Sequence, residues 1–216
     1  MYKHFRGEGG ELAEEDYLGC IDAEKYQQEL VSSLSATDRE TLWTPYDKKM
    51  LKELGKPKYI DEDKAYALIR EWQKNNSEIN PLNPEKIFAR LFRQKVEEGV
   101  RKELGDLKID GVLYYTSCCD LRPPNCKKKI KTPLDWHKGV DAFIDVIIND
   151  QIVGGLSTLT VDGTMMDKPG WKADMLIRFY QDDSYGPSDP KFIDFVEQYA
   201  KTATDLIVKK IRGLTN

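Results

Sequence analysis

Thr132-Pro133-Leu134-Asp135-Trp136-His137-Lys138-Gly139-Val140-Asp141 runs directly into Ala142-Phe143-Ile144-Asp145-Val146-Ile147-Ile148, and this stretch decides the fold. From Val140 to Ile148 every residue is apolar except Asp141 and Asp145. A half-exposed strand alternates apolar and polar residues. A short unbroken run rich in Val, Ile and Phe instead suits a strand buried on both faces. Helices must supply that cover, so the stretch reads as the centre of an α/β domain.

Working outward, Asn149-Asp150 makes a turn and Ile152 to Val161 reads as the next strand, weakened by Gly154-Gly155. Ala173 to Tyr180 reads as a fourth strand, and Asp182–Pro187 as loop. Ser188-Asp189-Pro190 starts a last helix, with Phe192, Ile193, Val196, Tyr199, Ala200, Ala203, Ile207 and Ile211 on its buried side. On the N-terminal side, Val112 to Ser117 reads as a strand, with Lys127–Lys131 a candidate for an additional edge strand outside the four main ones. Before them, Asn83 is a candidate cap, Pro84 suits a first helical turn and Glu85 complements the helix dipole. Ile87, Phe88, Leu91, Phe92, Val96, Val100 and Leu104 then fall on one stripe that Gly105 closes. Residues 83–212 therefore form one α/β domain, ordered helix, four strands, helix.

The prolines and asparagines of 75–84 mark a boundary, giving an N-terminal helical extension over residues 1–80 and the α/β domain over 81–216. Within the extension, residues 1–20 read as an arm, with helices at Asp22–Leu34, Tyr46–Leu54 and Asp61–Lys74. These helices either form a subdomain or cover the sheet; both arrangements satisfy the pattern.

The 216 residues are 40% hydrophobic and 32% charged, with mean hydropathy −0.60. No run approaches the roughly 20 apolar residues a membrane-spanning helix needs. The first ten residues lack the apolar centre of a signal peptide. A cytoplasmic protein is expected, with Cys20, Cys118, Cys119 and Cys126 as reduced thiols. The net charge of −4 draws no polyanion to the whole molecule, so any nucleic-acid contact must be local. Lys127, Lys128, Lys129 and Lys131, with Lys138 further on, form the densest basic candidate. On an edge strand the same lysines would instead discourage strand pairing. Cys118, Cys119, Cys126 and His137 are poorly spaced for zinc.

The element order, together with Thr132, Asp135, Lys138-Gly139-Val140-Asp141 and the strand that follows, resembles the PD-(D/E)XK nuclease superfamily over residues 83–212. The resemblance implies a restriction-endonuclease-like mixed sheet flanked by helices. It implies metal-dependent hydrolysis of nucleic-acid phosphodiester bonds, with DNA favoured over RNA and a homodimer as a candidate assembly. Asp141 would be the principal ligand of Mg²⁺ or Mn²⁺. Glu97, whose spacing to Val100 and Leu104 matches the family's preceding helix, and one of Asp145 or Asp162 would complete the acidic set. Such hard-oxygen ligands suit Mg²⁺, which polarises phosphoryl oxygen and activates water. The family's next strand carries Asp/Glu-x-Lys; here it reads Leu156-Ser157-Thr158-Leu159-Thr160-Val161-Asp162-Gly163, so the amine would come from Lys168 or Lys172. The alternative is a member that kept the fold and lost the chemistry, acting as a nucleic-acid-binding or protein-interaction module. Residue by residue, Asp141 also reads as a strand-edge carboxylate, Glu97 as part of a solvated helix face, and Lys168 and Lys172 as a polar turn around Pro169-Gly170.

Overall fold

The computed structural model describes residues 16–21, 62–75, 79–118, 132–164, 170–179 and 188–214. The helices expected at Asp22–Leu34 and Tyr46–Leu54, and the edge strand at Lys127–Lys131, lie outside these residues. The elements are α1 (Glu62–Asn75), α2 (Ile87–Glu103), β1 (Ile109–Thr116), α3 (Pro133–Lys138), β2 (Ala142–Ile148), β3 (Gln151–Ile152), β4 (Leu159–Thr164), β5 (Met175–Arg178) and α4 (Pro190–Leu214). They make a mixed α/β structure around an open, five-stranded mixed sheet of order β1-β2-β4-β5, with β3 also paired to β2. The β1–β2 and β2–β4 pairs are antiparallel, and β4–β5 is parallel.

The apolar run becomes the central strand, as its composition requires. Ala142, Ile144 and Val146 face a core shared with α2 and α4, in which Phe88, Phe92, Val96, Val100, Val196, Ala203 and Ile207 are buried. Phe143 faces the other way, into a second core with Ala65, Tyr66, Leu68, Ile69 and Trp72 of α1 and Leu134 of α3. The expected helix at Asp61–Lys74 is thus α1, and it covers one sheet face. The α2–α4 contact is close because Gly99 lacks a side chain: a Cβ there would lie 2.6 Å from Thr204 Oγ1.

Among the described residues β1 is an edge strand, and its outward groups are nonetheless paired. Arg101 and Arg93 of α2 donate to the Ile109 and Val112 carbonyls, the Tyr114 N–H donates to the Pro81 carbonyl, and the Gln73 side-chain amide both donates to and accepts from Thr116. Covering an edge in this way removes a template for aggregation.

Two local expectations are corrected. Asn83 does not cap α2: the helix starts at Ile87 after Lys86, which makes no side-chain cap bond, and Asn83 bridges to Asn80 in the preceding turn. The strand expected over Ile152–Val161 is two pieces. Ile147 pairs with Ile152 and Ile144 with Leu159, so the returning chain takes seven steps where β2 takes three. Gly154 and Gly155, at φ +93° and +89°, let it leave the ladder. Thr158 brings it back by accepting from the Val146 N–H and donating to the Val153 carbonyl. An element that the sequence reading did not assign, α3, forms inside the stretch that opened it. Thr132 caps it by accepting from the Asp135 N–H, Pro133 occupies the first turn, and Gly139 ends it at φ 60°, ψ 42°.

No described helix is long and apolar enough to cross a membrane.

Candidate metal and phosphate site

One residue before the Ala142–Val161 pair on β2 stands Asp141; one residue after it on β4 stands Asp162. Each carboxylate turns toward the other's segment. Asp141 Oδ2 accepts from the Gly163 N–H at 2.7 Å, and Asp162 Oδ2 lies 3.8 Å from where a Gly139 Cβ would project. Both residues are buried. Because Val161 and Leu159 face the α2/α4 core, alternation places Asp162, with Thr160 and Thr164, on the α1/α3 side. The local sequence explains how Asp141 gets there. The α3 cap at Gly139 reverses the chain, and the Asp141 N–H donates to the Val161 carbonyl while its own carbonyl accepts from Ser117 and Cys118. Thr132 Oγ1 also donates to the Ser117 carbonyl at 2.6 Å, tying the start of α3 to the same end of β1.

Burying two carboxylates side by side is costly without compensation. A divalent cation is one way to compensate such a pair, and Mg²⁺ is commonly held by one or two carboxylates, with water and substrate phosphate completing the octahedron. The donor chemistry of Asp141 and Asp162 fits such an ion. Among the described residues no group of three or more His, Cys, Asp or Glu side chains is placed to hold a metal.

The other expected residues are placed as follows. Asp145 shares the α1 face but is held by Arg70 of α1, whose Nε and Nη2 reach its two oxygens at 2.7 and 3.1 Å. Arg70 also donates to the Leu156 carbonyl and lies over the Tyr66 and Phe143 rings. Burial raises the Asp145 pKa, and the Arg70 bonds offset only part of that rise. Glu97 sits on α2, across the sheet, at the Ile109–Val112 end of β1, whereas Asp141 adjoins Ser117. It accepts from Arg93 at 2.7 Å and from Arg101 at 2.8 Å. Desolvation pushes its carboxyl up, but the Arg101 and Arg93 bonds outweigh this and leave its pKa lowered. Glu97 thus aims the two arginines at the β1 edge. Lys138 ends α3 and pairs with Glu62 of α1 at 2.6 Å. Lys172 is exposed and precedes β5, beyond Asp174, which bonds Thr160. It therefore enters at the opposite end of β4 from Asp162. Lys127, Lys128, Lys129, Lys131 and Lys168 lie outside the described residues.

Sequence reasoning left one residue out. Arg178 pairs with Thr164 across the parallel β4–β5 ladder. The signal was the strand at Ala173–Tyr180, but which neighbour that strand chooses, and in which direction, is invisible in its own sequence.

No family model, no curated protein and no solved structure matches the chain. What stands is a mixed α/β protein with two buried carboxylates at facing positions of neighbouring strand segments.

Proposed function

We propose that the chain is a restriction-endonuclease-like, metal-dependent nuclease that hydrolyses nucleic-acid phosphodiester bonds, DNA foremost, at Asp141 and Asp162. The observation that carries the reading is the burial of these two carboxylates against each other's strands. In this reading they hold Mg²⁺ or Mn²⁺, which polarises the phosphoryl oxygen and lowers the pKa of the attacking water. The Gly163 N–H fixes the orientation of Asp141. The Lys127–Lys131 run and Lys168, outside the described residues, are the basic sequence features this reading assigns to the phosphate backbone.

A second reading has its own observation. Glu97 and Asp145 are committed to arginines, and Thr164 occupies the position two residues after Asp162 where the family carries lysine. A chain so depleted would bind nucleic acid without cutting it.

Calorimetric titration with Mn²⁺ and incubation with plasmid and single-stranded DNA separate the two. The nuclease reading expects one site per chain and cleavage, with Asp141→Asn and Asp162→Asn each abolishing both. DNA binding without metal uptake or cleavage would favour the second reading.

A further inference from the structure

We propose that Glu62 is an intramolecular stand-in for a DNA phosphate on Lys138, which a backbone phosphate displaces when DNA binds; the assignment rests on the nucleic-acid binding common to both readings above. Lys138 is the last residue of α3, and its Nζ donates to Glu62 Oε2 of α1 at 2.6 Å. An ammonium makes the same short, charge-assisted bond to a phosphate oxygen as to a carboxylate. The two anions therefore compete for one cation.

The position of the pair in the fold gives the competition a consequence. Gly139 follows Lys138, and a Cβ at Gly139 would lie 3.8 Å from Asp162 Oδ2. The Lys138 Cα is thus no more than about 9 Å from that oxygen, given the fixed spacing of consecutive Cα atoms. A DNA strand that reaches the Asp141–Asp162 pair passes within range of the Lys138 side chain. Glu62 and Lys138 keep 39% and 44% of their side chains in solvent, so a phosphate reaches the ammonium without the fold opening. An ion pair this exposed holds itself closed by no more than about fivefold, and exchange is easy. The Arg70–Asp145 pair on the same side of the sheet is the contrast. Asp145 keeps only 1% of its side chain in solvent, so its arginine is committed. Glu62 also has a fixed place of its own. It stands in the first turn of α1, where the helix dipole favours a carboxylate. It therefore stays beside Lys138 after the exchange and repels the phosphate that replaced it, which lowers DNA affinity.

The test follows binding of a labelled DNA duplex by anisotropy across a salt series, in EDTA and again in Ca²⁺, a hard cation with the same oxygen ligands. Full-length wild type is compared with Glu62→Gln, Lys138→Gln, the double variant and Glu71→Gln. Glu71 is exposed on the same helix and loses the same charge. Lys138→Gln should bind more weakly and reduce the slope of log K against log salt by about 0.9, the loss of one phosphate contact. Glu62→Gln should bind up to about fivefold more tightly at low salt, with the gain shrinking as salt screens the pair. The double variant should match Lys138→Gln, and Glu71→Gln should stay near wild type. If wild type binds DNA but Glu62→Gln binds it no tighter, or gains equally without Lys138, or is matched by Glu71→Gln, the Glu62 assignment alone falls. If wild type binds no DNA in either buffer at low salt, the nucleic-acid reading falls and takes this assignment with it.

Discussion

Asp141 and Asp145 stand four residues apart on one strand face and meet different fates, because of what lies above each. Arg70 reaches down from α1 onto Asp145, with the Tyr66 and Phe143 rings beneath its guanidinium. Removing one partner of a buried pair leaves an uncompensated charge and costs about 3–5 kcal/mol. The two halves are not equivalent. Arg70 keeps 21% of its side chain in solvent while Asp145 keeps 1%. Asp145→Asn should therefore fall near the lower end of that range and Arg70→Ala near the upper, measured by urea unfolding. The pH dependence has a definite sign. Burial holds the Asp145 pKa above its ordinary 3.8, so the folded state binds the proton more tightly than the unfolded. Its contribution favours folding at low pH and declines as pH rises through the folded value. Arg70→Ala should steepen that decline, and a flat ratio of Arg70→Ala to wild-type stability from pH 4 to pH 7 would count against the pair.

At the scale of elements, the α2–α4 contact and the covered β1 edge each depend on a few side chains. Gly99→Ala should gain up to about 1 kcal/mol of helix propensity. It must also displace Thr204, whose Oγ1, Cγ2 and Cβ would lie 2.6, 2.9 and 3.2 Å from the new methyl. Overpacking of this kind costs about 1–3 kcal/mol, so the variant should be destabilised on balance, and adding Thr204→Ala should restore much of the loss. Thermal unfolding of the two variants decides it. On the opposite side of α2, Glu97 orients Arg93 and Arg101 toward β1. Its pKa is lowered below the ordinary 4.5, so its stabilisation is present above that pH and lost as pH falls through the folded value. Wild type and Glu97→Gln should therefore differ most near neutrality and converge in acid. Unfolding midpoints between pH 3 and pH 7 test this, and a constant difference would oppose it.

At the scale of the molecule, β2 belongs to both cores. Ala142, Ile144 and Val146 serve one and Phe143 the other, so neither can be lost without exposing the strand they share. Ile69 is fully buried in the α1 core. Ile69→Ala should cost about 2–5 kcal/mol, and it should shift the whole transition without splitting it. Circular dichroism and tryptophan fluorescence should then report one midpoint; two midpoints would mean that α1 and its core unfold separately. The fold class was readable because the run from Val140 to Ile148 is too apolar for anything but a central strand, and because the stripes of α2 and α4 repeat at the helical period. The break in the strand after Ile152 was less readable. Gly154-Gly155 signalled weakness, but its length depends on Arg70 and Lys210 arriving from opposite sides of the sheet to bond the carbonyls of Leu156, Ser157 and Thr158.

By itself the sequence determined the local matters: where the main helices and strands lie, and that two acids lie within an otherwise apolar strand. These follow from periodicity and backbone preference, which act between near neighbours in the chain. Only the tertiary structure decided which acids stand together. Asp162 lies opposite Asp141, Asp145 lies under Arg70, and Glu97 lies across the sheet because strand order and the placement of α1 join residues far apart in sequence. Alternation could say that Asp141 and Asp145 share a face, but not what covers that face. That depends on packing, to which every element contributes and which no short stretch encodes.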